Sequence, residues 1–209
     1  MRLTLMFLSV ALLLLSSWIG LTAGRIEPEC RNIIYMHVPS SIAALVCFCV
    51  LLAASVGYLA TSRVSWDRVA AAAAEVGLIF ATLLNVTGSI FSRAEWNVWW
   101  TPSPRLVTAA VLWFLYVVYA ILRISLGGDR GLRARVCAVF GIIAFFDVPM
   151  VIISARFMPD IHRAGFSFDS AWQTAAFLPA LASMLLLAAV LIWLKADLLA
   201  ARDMLEKEI

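Results

Sequence analysis

Residues 3–23, LTLMFLSVALLLLSSWIGLTA, form a run without a single charged side chain. About 20 apolar residues is the length that a helix needs to cross the hydrocarbon core of a bilayer. The run is longer than the apolar part of a cleaved signal peptide, which typically has about 7 to 15 residues. It therefore predicts a first transmembrane helix, although Leu21, Thr22 and Ala23 could serve as a weak cleavage site.

Five further apolar stretches follow, each bounded by charged residues. The whole composition agrees with a membrane protein, since 64% of the 209 residues are hydrophobic and 14% are charged. We expect an all-α polytopic membrane protein with six transmembrane helices, forming a single transmembrane domain over residues 1–209. The five later crossings are predicted at about residues 39–61, 69–91, 105–122, 136–155 and 173–194.

Positive charges in the connections predict the orientation, because Lys and Arg are retained on the cytoplasmic side. With the amino terminus inside, ten basic residues lie on the cytoplasmic side and six on the outer side. The short connection at 123–135, RISLGGDRGLRAR, carries four of these ten. Both termini are therefore predicted to be cytoplasmic.

Charge and cysteine content argue against several functions. The 16 Lys and Arg and 13 Asp and Glu are scattered between apolar segments, so we expect membrane lipid as a partner and no nucleic acid. The cysteines include no CxxC pair, which argues against a disulfide framework or a thiolate metal site. We also do not expect an enzyme. The four cysteines are Cys30, Cys47, Cys49 and Cys137.

Both histidines of the chain fall in the predicted outer connections, which are 24–38, 92–104 and 156–172. His37 lies at the start of the second helix and His162 between the fifth and sixth. Two imidazoles are too few for a tetrahedral zinc site, but they suit the axial positions of a heme iron. The alternative is that both are incidental polar residues of the loops.

A tryptophan-rich segment, EWNVWWTPSPR at 95–105, occupies the second outer connection. One tryptophan there would indicate only the aromatic belt of a membrane interface. Three of them, Trp96, Trp99 and Trp100, followed by a Pro-x-Pro, could instead form an apolar shelf for a flat ligand. The carboxylates of such a ligand could be met by an arginine, and the candidates are Arg105, Arg25 and Arg31.

Three polar residues fall inside the predicted membrane segments, where such groups are usually paired or functional. They are Glu75, Asn85 and Asp147, and Asp147 could pair with Asn85 on a neighbouring helix. We expect Pro149 to kink the fifth helix. A transporter or permease that uses Asp147 and Glu75 is the alternative function from a different class.

The segments IIYMHVPSS at 33–41 and DVPMVIISARF at 147–157, with the six-helix plan, resemble the CcmC-type heme exporter protein C family of cytochrome c maturation, within the superfamily that has a WWD loop. The family loop is approximately Trp-Gly-x-Trp-x-x-Trp-Asp-x-Arg-Leu-Thr. Here Trp96, Trp99, Arg105 and Leu106 match it. Four positions differ, with Asn97 at the Gly, Pro102 at the third Trp, Ser103 at the Asp and Val107 at the Thr.

The resemblance implies binding of heme and its delivery at the outer face of the inner (plasma) membrane. His37 matches the family's histidine by motif and His162 by its loop, and together they would be the axial ligands of a non-covalent, b-type heme. Trp96, Trp99 and Trp100 would flank the macrocycle, and Arg105 would lie near a propionate. The implied partners are a CcmE-type heme chaperone and subunits of an ABC-type maturation complex. Because the Trp-Asp pair is missing, a scaffold that has lost heme function is a further alternative.

Overall fold

The computed structural model describes residues 1–26, 29–127, 129–158 and 168–208, without the side chains of 29–30 and 206–208. Every element in these ranges is helical. A 3₁₀ turn at Glu29–Ile33 precedes the second helix. The seven α-helices are α1 Arg2–Leu21, α2 Ile34–Thr61, α3 Val64–Trp96, α4 Pro104–Ser125, α5 Arg130–Phe145, α6 Asp147–Phe157 and α7 Ala171–Glu208.

Within the described ranges, six helical segments are long and apolar enough to cross a membrane, as the sequence predicts. Five of them contain one helix each, and α5 and α6 together make the fifth crossing, Arg130–Phe157. Several helices extend beyond the apolar stretches. For example, α3 continues through Trp96 and α7 through Glu208, so both project past the hydrocarbon core.

The fifth crossing is interrupted at Phe146, between α5 and α6. Pro149 in the first turn of α6 has no backbone N–H, so the carbonyl of Phe145 lacks its usual helical donor. The Phe146 N–H instead closes a tighter turn on the carbonyl of Ile143, at 3.1 Å. The regular α-helical hydrogen bonding is thus broken three residues before Pro149, where the sequence leads us to expect a kink.

The core lies between α2 and α3, which pack antiparallel along their length. Ala70, Ala71, Ala72, Ala73 and Ala74 are all buried, and such small side chains let two helices approach closely. Gly77 serves the same purpose, since a Cβ atom there would lie 2.6 Å from Cε1 of Phe48. The ring of Phe48 stacks on Tyr116 of α4, with ring centroids 3.6 Å apart. The three helices are thus joined through one aromatic pair.

Both termini lie at the same end of the bundle, which we call the termini side. There Arg2 pairs with Asp197, and Nε of Arg68 donates to Asp203 at 2.8 Å. The opposite end, which we call the His37 side, has the connections after α1, α3 and α6. On the termini side, the guanidinium of Arg123 donates two hydrogen bonds of 2.8 and 2.9 Å to the buried carboxylate of Asp67, and these bonds tie α4 to α3.

Candidate functional site

His37 lies in the first turn of α2, at the end of the bundle that holds the tryptophan-rich connection. Its side chain is half-buried and faces α3. The imidazole Nδ1 lies 3.0 Å from the hydroxyl oxygen of Thr87, which is buried. The histidine is therefore a packed residue of a helix pair and not an incidental polar residue of a loop.

The surroundings of Thr87 favour one tautomer of His37. The Thr87 hydroxyl can donate to the carbonyl oxygen of Leu83, 2.7 Å away. When it does so, the hydroxyl oxygen accepts from Nδ1 of His37, and Nε2 is then the unprotonated nitrogen. An unprotonated imidazole nitrogen, fixed by a hydrogen bond on the other nitrogen, is the form in which histidine coordinates metals.

Gly88 makes room for this ring. A Cβ atom at Gly88 would lie 3.0 Å from Cε1 of His37. Any residue other than glycine at this position would therefore displace the imidazole. Gly88 lies in the interior of α3, where glycine weakens a helix by roughly 0.5–1 kcal/mol relative to alanine. The close approach to His37 gives a physical reason for its presence.

His162 lies within 159–167, outside the described residues, so its position relative to His37 stays a prediction. The residues that flank this segment are described. Phe168 stacks on Tyr35 with nearly parallel rings, 6.3 Å between centroids, and Tyr35 is two residues before His37. Tyr35 in turn donates from its hydroxyl to the carbonyl of Gly24, at 2.5 Å. The chain after His162 is thus anchored beside the turn of α2 that holds His37.

The three tryptophans do not occupy equivalent places. Trp96 is the last residue of α3 and packs edge-on against Phe91, with centroids 5.2 Å apart. Trp99 and Trp100 follow in the connection and have 62% and 50% of their surface exposed. The guanidinium of Arg93 lies 5.9 Å from the Trp99 ring centroid. Of the three tryptophans, Trp99 and Trp100 therefore present the exposed ring surface at this end, while Trp96 belongs to the helix end.

Asn97 ends α3 in the left-handed conformation, with φ of 60°. Its N–H bonds to the carbonyl of Arg93, and the Arg93 side chain returns a bond to the Asn97 carbonyl, 2.6 Å long. Asparagine adopts this conformation more readily than other non-glycine residues. The substitution at the family's glycine position is therefore compatible with a helix end that a glycine would form.

The candidate arginines make different contacts. Arg105 donates from Nη2 to the carbonyl of Ala155 at 2.6 Å, which ties the start of α4 to the end of α6. Arg31 forms an ion pair with Glu95, with Nε 3.2 Å from Oε1, and so joins the 3₁₀ turn to the last turn of α3. Arg25 lies exposed after α1. Arg31 is thus part of the packing at this end of the bundle.

The polar residues inside the membrane are arranged differently from the prediction. The expected pairing of Asp147 with Asn85 is wrong, because the Asn85 amide donates to the carbonyl of Ala81 on its own helix, at 2.8 Å. The Oδ2 atom of Asp147 is buried without a hydrogen-bond partner among the described residues. Glu75 is paired with Lys195 at 2.6 Å, which neutralises its charge.

Sequence reasoning missed Thr87, Gly88 and Phe168, which position His37 or the chain beside it, and it included Tyr35 only as part of the segment at 33–41. A signal was also available for Gly88, since glycine inside an otherwise regular helix indicates a close approach. Within the described ranges, no group of three or more His, Cys, Asp or Glu residues is placed to hold a metal ion. A metal ion bound near His37 would need some of its ligands from outside these described residues, for example from a porphyrin.

Comparison with known proteins gives a family match over almost the whole chain. The family model described as CcmC, heme exporter protein C, matches residues 1–208. The chain is 29% identical to heme exporter protein C of Escherichia coli K12 over 133 residues, which are 63% of this chain and 54% of that protein.

Two other relatives have similar levels of identity. Heme exporter protein C of Bradyrhizobium diazoefficiens is 26% identical over 181 residues, 80% of this chain and 68% of that protein. A cytochrome c biosynthesis ccmC-like mitochondrial protein of Marchantia polymorpha is 26% identical over 157 residues, 75% of this chain and 65% of that protein. The matched regions thus span between about half and two thirds of these relatives' lengths.

Proposed function

Because this chain belongs to the CcmC family, heme exporter protein C, we propose that it binds heme at the His37 side of the bundle and delivers it for cytochrome c maturation. The observation that supports the proposal is the contact of His37 Nδ1 with Thr87, which orients the ring, and we propose Nε2 as the nitrogen that coordinates iron. The family match adds the identity of the group to be coordinated.

His162 is proposed as the second axial ligand. It is six positions before Phe168, which stacks on Tyr35 beside His37. Six residue steps reach at most about 20 Å when fully extended, so this anchor is compatible with His162 reaching a ligand bound at His37. Two neutral imidazoles and the four porphyrin nitrogens complete six-coordination of iron, which is why two protein ligands suffice.

Trp99 and Trp100 are proposed as the apolar surface against which the macrocycle lies, with Trp96 supporting the end of α3. Their exposed ring faces can be covered by a flat apolar ligand, and burial of aromatic surface favours binding. We propose Arg105 as the cation that meets a heme propionate, its guanidinium held in place by the bond to Ala155. Heme here is cargo that is held and passed on.

The proposed partners follow from the family match. A CcmE-type chaperone would receive the heme, and an ABC-type complex would act with this chain. The proposed location is the inner membrane, with both termini cytoplasmic and the His37 side on the outer face, in agreement with the distribution of basic residues. On that side the cargo is accessible to a partner outside the membrane.

Absorption spectroscopy tests the proposal directly. The protein should be purified in mild detergent from cells that make heme, and its Soret absorption should be divided by its protein absorption at 280 nm. We expect a Soret band of a low-spin heme that survives gel filtration. A chain that carries no heme, and takes up none when hemin is added, would support the scaffold or transporter alternatives and end this proposal.

A further inference from the structure

A polar cavity lies on the termini side, far from His37. It has a volume of about 130 Å³ and opens between the ends of α2, α3, α5 and α7. At liquid density this volume holds roughly four water molecules, enough for a tetrahedral oxyanion. Its charged lining consists of Asp67, Arg68, Arg130, Arg133 and Asp203.

Both carboxylates of this cavity are already engaged. Asp67 accepts the two bonds from Arg123, and Asp203 accepts from Arg68 and, at 3.4 Å, from Arg130. Arg133 is different. Its Nε is buried, and it has no hydrogen-bond partner among the residues that the structure describes. A ligand in the cavity would contact Arg133 through the accessible part of its half-buried side chain, and this cation has no carboxylate partner among the described residues. An anion in the cavity would therefore be bound favourably.

The position of the cavity indicates the class of acceptor. It lies where four membrane-crossing helices end, which is the level of the lipid headgroups. Basic pockets between transmembrane helices at this level bind anionic headgroups, and the guanidinium fork matches the geometry of phosphate oxygens. We propose that this cavity is a phosphate-binding site, with Arg133 making the decisive contact. The phosphate belongs to an anionic lipid headgroup or is free in solution.

The test measures binding to the purified full chain in detergent, with three ligands. They are phosphatidylglycerol, zwitterionic phosphatidylcholine at the same concentration, and inorganic phosphate. Native mass spectrometry counts bound lipids, and thermal unfolding followed by tryptophan fluorescence reports stabilisation. We expect phosphatidylglycerol or inorganic phosphate to raise the melting temperature in a saturable manner, and the more effective of the two identifies the source of the phosphate.

Arg133→Gln should weaken this binding at least about tenfold, the effect of losing one charge-assisted hydrogen bond. The matched control is Arg135→Gln, because Arg135 lies on the same helix, is exposed and is not part of the cavity lining. Arg133→Lys keeps the charge without the fork and should bind with intermediate affinity, which also guards against misfolding of the glutamine variant. Equal binding by wild type and Arg133→Gln, or no saturable effect of either phosphate source, overturns the proposal. Heme is absent from all these measurements, so the result is independent of the proposed function.

Discussion

The Nδ1 atom of His37 lies 3.0 Å from the hydroxyl oxygen of Thr87, and this contact joins the first turn of α2 to α3 inside the bundle. Thr87 is nine residues before the end of α3 at Trp96, or about 13 Å along the helix axis. The ring of His37 is thus held well below the tryptophan-rich connection. A heme that bound Nε2 and also lay against Trp99 and Trp100 would have to extend between these two levels.

Thr87→Val tests the orienting hydrogen bond. Valine has nearly the shape of threonine but cannot form a hydrogen bond with Nδ1 of His37, so this bond no longer orients the ring. Loss of such an outer partner typically lowers metal affinity by about 10- to 100-fold. We expect a corresponding fall in hemin affinity, measured by titration of the Soret band.

Thr87→Ser is the matched control, because serine keeps the hydroxyl at the same position. It should retain affinity close to that of the wild type. If the valine and serine variants bind hemin equally well, the hydroxyl does not orient His37.

Gly88→Ala tests the space beside the ring. The added Cβ would lie 3.0 Å from Cε1 of His37, so the imidazole must shift. We expect lower heme content and a partial change to high spin in the optical spectrum. Gly127→Ala is the control, since a Cβ there meets only the Ile124 carbonyl at 3.6 Å; the same loss of heme in this control would contradict the steric argument.

The membrane crossings could be predicted because the hydropathy of a segment largely determines whether it inserts into the bilayer. Pro149 likewise predicted the interruption at Phe146, since a missing backbone donor acts locally. The helix ends beyond the hydrocarbon could not be predicted from hydropathy. At the end of α3, for example, Arg93 and Asn97 close the last turn with mutual hydrogen bonds. Such polar contacts leave no trace in a hydropathy profile.

Side-chain contacts between helices could not be predicted from the sequence. Asp147 and Asn85 look like natural partners in an apolar chain, yet the Asn85 amide finds its acceptor one turn back on the same helix. The partners of His37 are separated from it by fifty residues, and only the antiparallel packing of α2 and α3 brings them together. For the tryptophans, sequence indicated a cluster but not the different roles of Trp96 and Trp99.

Asp67→Asn tests the ion pair that ties α3 to α4. The Asp67 and Arg123 side chains are only 10% and 15% exposed, so the substitution leaves a nearly buried guanidinium without its countercharge. Removal of one partner of a buried pair costs about 3–5 kcal/mol. We expect a fall of this order in the free energy of unfolding, measured by titration with a denaturing detergent.

The control for this pair is Arg2→Gln. Arg2 and Asp197 are 36% and 49% exposed, and exposed pairs contribute about 0–1 kcal/mol. A loss of similar size in both variants would show that burial does not determine the contribution of these pairs.

Cysteine labelling tests the orientation. In a variant whose four native cysteines are replaced by serine, Pro102→Cys places a thiol in the exposed connection after α3, and Gly127→Cys places one in the connection after α4. An impermeant maleimide added to intact cells should label position 102 and not position 127. Labelling of 127 alone would reverse the orientation and place the His37 side in the cytoplasm.

The remaining prediction is that His37 and His162 bind the same iron from opposite faces. Each would be the only protein ligand on its face, so His37→Gly and His162→Gly should each lose heme or give a high-spin, five-coordinate spectrum. Added imidazole can enter the space that the side chain leaves and should restore the low-spin spectrum in both variants. The two substitutions differ in one respect. Only His37→Gly also removes the imidazole that contacts Thr87. The Thr87 hydroxyl can then form a hydrogen bond with the added imidazole.

We therefore expect imidazole to restore His37→Gly at lower concentration than His37→Gly combined with Thr87→Val, and Thr87→Val to have no such effect on the rescue of His162→Gly. A His162→Gly protein that keeps the wild-type low-spin spectrum would show that the second ligand is another residue. Met36 and Met158 are then the candidates, because both are exposed on the His37 side and a thioether sulfur also ligates heme iron. Replacement of each by leucine in the His162→Gly background would identify which one it is.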